Sequence, residues 1–157
     1  MAKIILPRNE QMRLLKHVKD LTLHQLSGEL KYVREIRLFG SILRWEFGHI
    51  PEGKKTSSGI RYWSDVDFLI IAREGFRPLP HWREKFRTNH GWLCYYLPGG
   101  IILDTYLEGK PVKSEIPVSY AVVFEETLKN KANIAQLIGD GLPLKNSLFK
   151  KSYERIH

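Results

Sequence analysis

The feature that most restricts this chain is the run Ser64-Asp65-Val66-Asp67-Phe68-Leu69-Ile70-Ile71, two carboxylates one residue apart at the mouth of its most apolar segment. The Val, Phe and Ile content predicts a strand, on which side chains alternate faces with period two, so Asp65 and Asp67 project to one side. Val66, Phe68 and Ile70 then point the other way, into a core. A charge beside a core costs stability unless something pairs with it. Two carboxylates this close repel until cations neutralise them, and oxygen pairs suit Mg²⁺ or Mn²⁺. Taken alone, an Asp-x-Asp is more often a solvated strand end.

Two further features raise its weight. Upstream, "VREIRLFGS" alternates apolar Val33, Ile36 and Leu38 with charge and ends in Gly40-Ser41. This reads as a strand entering a glycine turn, with Ser41 capping a short helix over "SILRWEF". Such a turn offers backbone N–H groups and a hydroxyl to an anion. Arg44 would then lie one helical turn from that anion. Downstream, Asp104 sits in "GIILDTYL" between Ile101, Ile102, Leu103 and Tyr106. If that strand neighbours the first, three carboxylates converge into a cage for two divalent ions, able to activate a hydroxyl for an in-line phosphoryl displacement. The plainer alternatives are a capping serine at Gly40-Ser41 and an ion pair for Asp104.

Periodicity predicts a helix over about 9–30, broken near "DLTL", and residues 48–61 read as a mobile surface loop. A basic helix is expected near 80–90, and a hairpin at Pro98-Gly99-Gly100 joins "WLCYYL" to "GIILDTYL". A loop at 109–117, a helix over 119–138 ending at "GDG", a short strand at "LPLKN" and a basic tail from 146 complete the chain. The fold class is α/β or α+β, a small mixed sheet with helices packed on it, and residues 1–145 form a single domain.

The chain carries 25 Lys plus Arg against 17 Asp plus Glu, a net charge of +8 that favours polyanionic partners such as RNA, DNA or a nucleoside triphosphate. Its single cysteine, Cys94, excludes an internal disulfide and a Cys-based zinc site. No signal peptide and no apolar span of membrane length is evident, so the expectation is a cytoplasmic protein without a membrane partner.

"LFGSILR", "SDVDFLI" and "ILDTYL" together resemble the signature of the polymerase-beta-type nucleotidyltransferases. The order Gly40, Ser41, Arg44, Ser64, Asp65 and Asp67 is similar to that of the minimal nucleotidyltransferases, which are little more than a catalytic palm. The resemblance implies that Asp65 and Asp67 hold two Mg²⁺ or Mn²⁺ ions and that Asp104 holds the catalytic one. It implies that Gly40, Ser41, Arg44 and Ser64 bind the nucleotide, and that a nucleoside monophosphate passes from a triphosphate to an acceptor hydroxyl with release of pyrophosphate. The acceptor would be a protein hydroxyl, an RNA end or a small molecule. Minimal members often serve as the antitoxin of a helical HEPN-type toxin, so a HEPN-like partner is a further implication. A palm this small has little wall to hold an acceptor, so a partner or a homodimer is expected on size grounds. The chain departs from the pattern in a basic insertion within 45–62, where Lys54, Lys55 and Arg61 could meet phosphates. The competing function is a non-catalytic module that keeps this fold to bind nucleic acid or protein.

Overall fold

The computed structural model describes residues 4–49, 64–87, 92–107, 109–129 and 153–157. Three apolar runs form the centre of a six-stranded mixed sheet. They are β2 (Val33–Phe39), β4 (Val66–Ala72) and β9 (Val118–Phe124). β4 is buried at every position except Asp67, as suits a strand with both faces covered. β2 pairs with it antiparallel and β9 in parallel. β6 (Trp92–Tyr96) follows β9, β5 (Arg83–Arg87) forms one outer strand and β10 (Glu154–Arg155) the other.

Helix α1 (Arg8–Gln25) supplies Leu14 and Val18 to the core that Val66, Phe68 and Ile70 enter from the sheet, as the alternation in β4 requires. Within that core the Tyr120 ring stacks on Phe68 at 5.5 Å and on Trp82 at 4.0 Å. Two small ribbons stand apart from the six-stranded sheet. β1 (Ile4–Ile5) pairs with β3 (Gly48–His49), and β7 (Ile101–Leu107) pairs with β8 (Lys110–Ile116). Helix α2 (Glu125–Lys129) follows β9 directly. Among the described residues no helix is long and apolar enough to cross a membrane.

The mixed α+β class matches the sequence reading, but several elements differ. α1 runs unbroken through "DLTL", with Thr22 buried inside it, and ends at Gln25; a 3₁₀ turn at Leu30–Tyr32 leads into β2. The expected basic helix near 80–90 is the strand β5. Five residues are too few for a stable isolated helix, whereas pairing with β6 satisfies their backbone. The chain does turn at Pro98–Gly100, yet β6 and β7 do not pair. β6 lies between β5 and β9, and the tight hairpin is β7–β8, with Leu107 opposite Lys110. The loop expected at 109–117 is therefore largely β8.

The start of the helix expected over 119–138 is β9. Val118, Tyr120, Val122 and Val123 are β-branched or aromatic and completely buried between β4 and β6, a place that favours extended backbone. The rest of that helix after Lys129, the "GDG" turn and the "LPLKN" strand lie outside the described residues, as does the basic insertion beyond β3. The last five residues of the basic tail are built into the sheet edge, where Ile156 N–H donates to the Ile36 carbonyl at 2.9 Å and Ile36 N–H to that of His157 at 3.1 Å.

Candidate active site

Pairing between β2 and β4 sets Phe39 opposite Asp67, so the Gly40-Ser41 turn leaves β2 beside the acid pair. Gly40 has φ 121° and ψ −179°, a conformation open essentially to glycine alone, and a methyl group there would meet the Asp65 carbonyl oxygen at 3.3 Å. The turn continues as a single 3₁₀ turn over Ser41–Arg44, so the cap position belongs to Gly40 rather than to the expected Ser41, and no side chain caps it.

A residue with no motif around it secures this turn. The Gln11 side chain, buried under it, donates to the Leu6 carbonyl at 2.8 Å and the Trp45 carbonyl at 3.0 Å, and accepts from Phe47 N–H at 2.9 Å. A buried amide with both donors used and its oxygen bonded fixes the chain where it leaves the turn. Ile42, wholly buried, pins the turn from within.

The Asp67 carboxyl feels both its surroundings and its neighbour. Burial first, and then the like charge of Asp65, push the Asp67 carboxyl from the ordinary 3.8 up to about 6, against the pull of Lys85. Asp65 is exposed and Asp67 half-buried. The pair thus presents one exposed and one half-buried carboxylate beside a glycine turn.

The other sequence candidates are placed as follows. Ser64 Oγ donates to the Gly48 carbonyl at 2.9 Å and accepts from Gly48 N–H at 3.1 Å, so its hydroxyl ties the start of β4 to β3. Arg44 is exposed and bonds Glu46 at 3.3 Å. Asp104 is not in a strand beside β4, whose neighbours are β2 and β9. It is exposed on the β7–β8 ribbon, and its carbonyl accepts from Arg13 Nη2 at 2.6 Å. The position beside Asp67 on β9 belongs instead to Ser119.

On the β9 side of the acid pair opens a cleft of about 530 Å³, lined by Asp65, Lys85, Tyr96, Glu115 and Ser119 over an apolar floor of Leu97, Pro117 and Val118. Sequence reasoning missed Lys85, Tyr96, Glu115 and Ser119, because they meet Asp65 only through non-local strand pairing. No short-range spacing could have signalled them.

The chain matches no family model, no curated protein and no solved structure. Among the described residues, no three His, Cys, Asp or Glu side chains come together as a metal site. The donor set at the pair fits a single hard cation completed by phosphate oxygens, since Mg²⁺ is commonly held by one or two carboxylates plus substrate. The raised Asp67 carboxyl points the same way, because a cation relieves both its desolvation and its repulsion from Asp65.

Proposed function

We propose that the chain is a metal-dependent nucleotidyltransferase, moving a nucleoside monophosphate from a nucleoside triphosphate to an acceptor hydroxyl. The observation that carries this reading is the juxtaposition of the Gly40 turn, whose backbone abuts the Asp65 carbonyl, with the two carboxylates of Asp65 and Asp67.

Asp65 and Asp67 would hold Mg²⁺ or Mn²⁺, which when bound neutralises the phosphate oxygens and lowers the pKa of a bound hydroxyl. The backbone at Gly40-Ser41 binds the β and γ phosphates, and exposed Arg44 lies one turn on to meet them. The acceptor oxygen forms a bond to the α-phosphorus while the bond from that phosphorus to the bridging oxygen breaks. Pyrophosphate leaves with the electron pair. The hydroxyl proton leaves to solvent water, its acidity raised by the cation that Asp65 and Asp67 would hold. The resemblance gives Asp104 a share in the metal, and it also favours a HEPN-like protein as a partner. Strand pairing supports the pair without Asp104.

The test is incubation with Mg²⁺ or Mn²⁺ and each α-labelled triphosphate, followed by a search for label on protein and on RNA. Transfer is expected from wild type and not from Asp65→Ala/Asp67→Ala. Label that persists in the double variant would sink the assignment.

A further inference from the structure

A bulky residue stands where a turn of this kind normally carries glycine. Trp45 has φ 57° and ψ 33°, the left-handed conformation, and among the described residues it alone has a positive φ without being glycine. A left-handed residue commonly ends a helical turn because it lets the next N–H reach back to the carbonyl five residues earlier. Here Trp45 N–H and Glu46 N–H both bond the Ser41 carbonyl, the latter at 3.0 Å. Nothing in the tryptophan itself favours that backbone, since its Cβ crowds the following carbonyl.

The first turn of α1 supplies what the residue lacks. Arg8 and Gln11, three apart, lie on one face of the helix. The Arg8 guanidinium lies over the Trp45 ring at 4.5 Å. The Gln11 amide, 1% exposed, donates to the Trp45 carbonyl at 3.0 Å and accepts from Phe47 N–H at 2.9 Å. Ring and backbone are thus held separately. Were residue 45 to relax to the right-handed state, the chain beyond it would turn away from Gln11, and a buried amide would lose two bonds.

This grip reaches the phosphate turn through peptide geometry. A trans peptide is planar, and its C=O and N–H point in opposite directions. The Ser41 carbonyl is drawn toward Trp45 and Glu46, so the Ile42 N–H of the same peptide points the other way, out of the turn. The Gly40 carbonyl accepts from Leu43 N–H at 3.1 Å, which aims the Ser41 N–H outward likewise. Two adjacent N–H groups on the rim of a turn are what the reading above requires to hold phosphate oxygens. The Ile42 side chain is wholly buried, so side chain and carbonyl fix this peptide from opposite ends.

We infer, resting on the transfer reading above, that Trp45 is a positioning residue for the triphosphate. Its left-handed backbone, held by Arg8 and Gln11, keeps the Ser41–Ile42 peptide turned toward the phosphates. Glycine would reach the same backbone unaided; a gripped tryptophan ties the shape of the turn to α1.

The test compares two replacements that remove the same ring and differ in the backbone they allow. In the full chain, Trp45→Val disfavours a positive φ and Trp45→Gly admits it. Binding is read by calorimetry with inorganic tripolyphosphate and Mg²⁺ at fixed ionic strength, and the metal site separately with Mn²⁺ alone. Trp45→Val is expected to bind tripolyphosphate roughly tenfold more weakly, the effect of one hydrogen bond to a charged group, with Mn²⁺ affinity unchanged. Trp45→Gly is expected to stay within about threefold of wild type, because the left-handed state costs it nothing. Gln11→Leu should weaken binding as Trp45→Val does, and adding Trp45→Gly to it should recover part of the loss. In steady-state transfer, Trp45→Val should raise KM for the triphosphate and leave kcat unchanged. Melting curves show which variants are folded, and the half-buried Trp45 pair decides the matter even if Gln11→Leu does not fold. Equal losses in Trp45→Val and Trp45→Gly, or no loss in either, would overturn the inference and leave the transfer reading standing. So would a parallel loss of Mn²⁺ affinity, which marks general damage. A wild type that binds no tripolyphosphate would remove the transfer reading along with this one. A loss in Trp45→Val that Trp45→Gly restores, in a chain that transfers nothing, would support the positioning role and count against transfer.

Discussion

Asp67 on β4 and Asp104 on β7 each sit in a seven-residue strand among isoleucines and leucines. Their surroundings nevertheless differ sharply. β4 has a strand on either side, and Asp67 is half-buried against Asp65 with its carboxyl pushed up to about 6. Among the described residues β7 is paired on one side only, and Asp104 is exposed opposite Lys113 on a ribbon held to α1 through Arg13. Apolar neighbours in sequence therefore do not tell how dry a carboxylate is. The number and order of strand partners does.

Activity gives the largest test of this contrast. Asp65→Ala and Asp67→Ala should each lower transfer by at least roughly 10³-fold, since either removes a ligand from the reacting centre. Asp104→Ala should stay within about threefold of wild type. Steady-state transfer of α-labelled nucleotide checks this, and an equal loss at all three positions would mean that the ribbon reaches the pair during the reaction.

Stability against pH tests it next. Below about pH 4 Asp67 is protonated whether the chain is folded or unfolded. Between about 4 and 6 the folded chain keeps a proton that the unfolded chain has lost, so raising the pH costs stability. Above about 6 the full penalty holds, about 3 kcal/mol for a shift of this size. Asp67→Asn should therefore raise the metal-free melting temperature at pH 8 and have little effect at pH 3.5. Added Mg²⁺ should recover part of the difference in wild type only. Urea unfolding with and without EDTA at the two pH values measures it, and a variant benefit that does not vary with pH would show Asp67 to be solvated.

The sequence allowed β2, β4 and their turn to be read together because the two strands pair antiparallel and lie next to one another in the sheet. Gly40 and Asp65 meet through that pairing, and the faces of Val66, Phe68 and Ile70 follow from period two alone. β9 was not legible. "SYAVVF" has no alternation, and the following "EETLK" is helix-forming, so the run reads as one helix until β4 and β6 are known to flank it. Without β9, Ser119 could not be set beside Asp67, and Asp104 took its place in the reading. Lys85 was hidden for a different reason. A register shift between Glu84 and Phe86, not the strand period, aims it into the cleft.

The glycines of the two regions give the finest test. Gly40, at φ 121°, abuts the Asp65 carbonyl, whereas Gly109, at φ 78° in the β7–β8 turn, would place a methyl group in open space. Gly40→Ala should cost roughly 1–3 kcal/mol of backbone strain and also displace Asp65. Stability and transfer should then fall together, and transfer should fall further than the stability loss accounts for. Gly109→Ala meets only the left-handed backbone penalty, roughly 1 kcal/mol. It should lower the unfolding midpoint slightly and leave transfer per folded molecule unchanged. Comparing the two by urea midpoint and by transfer rate normalised to folded protein separates strain that reaches the acid pair from strain confined to the ribbon. If Gly109→Ala lowered the normalised rate as much as Gly40→Ala, the ribbon and Asp104 with it would belong to the reacting centre.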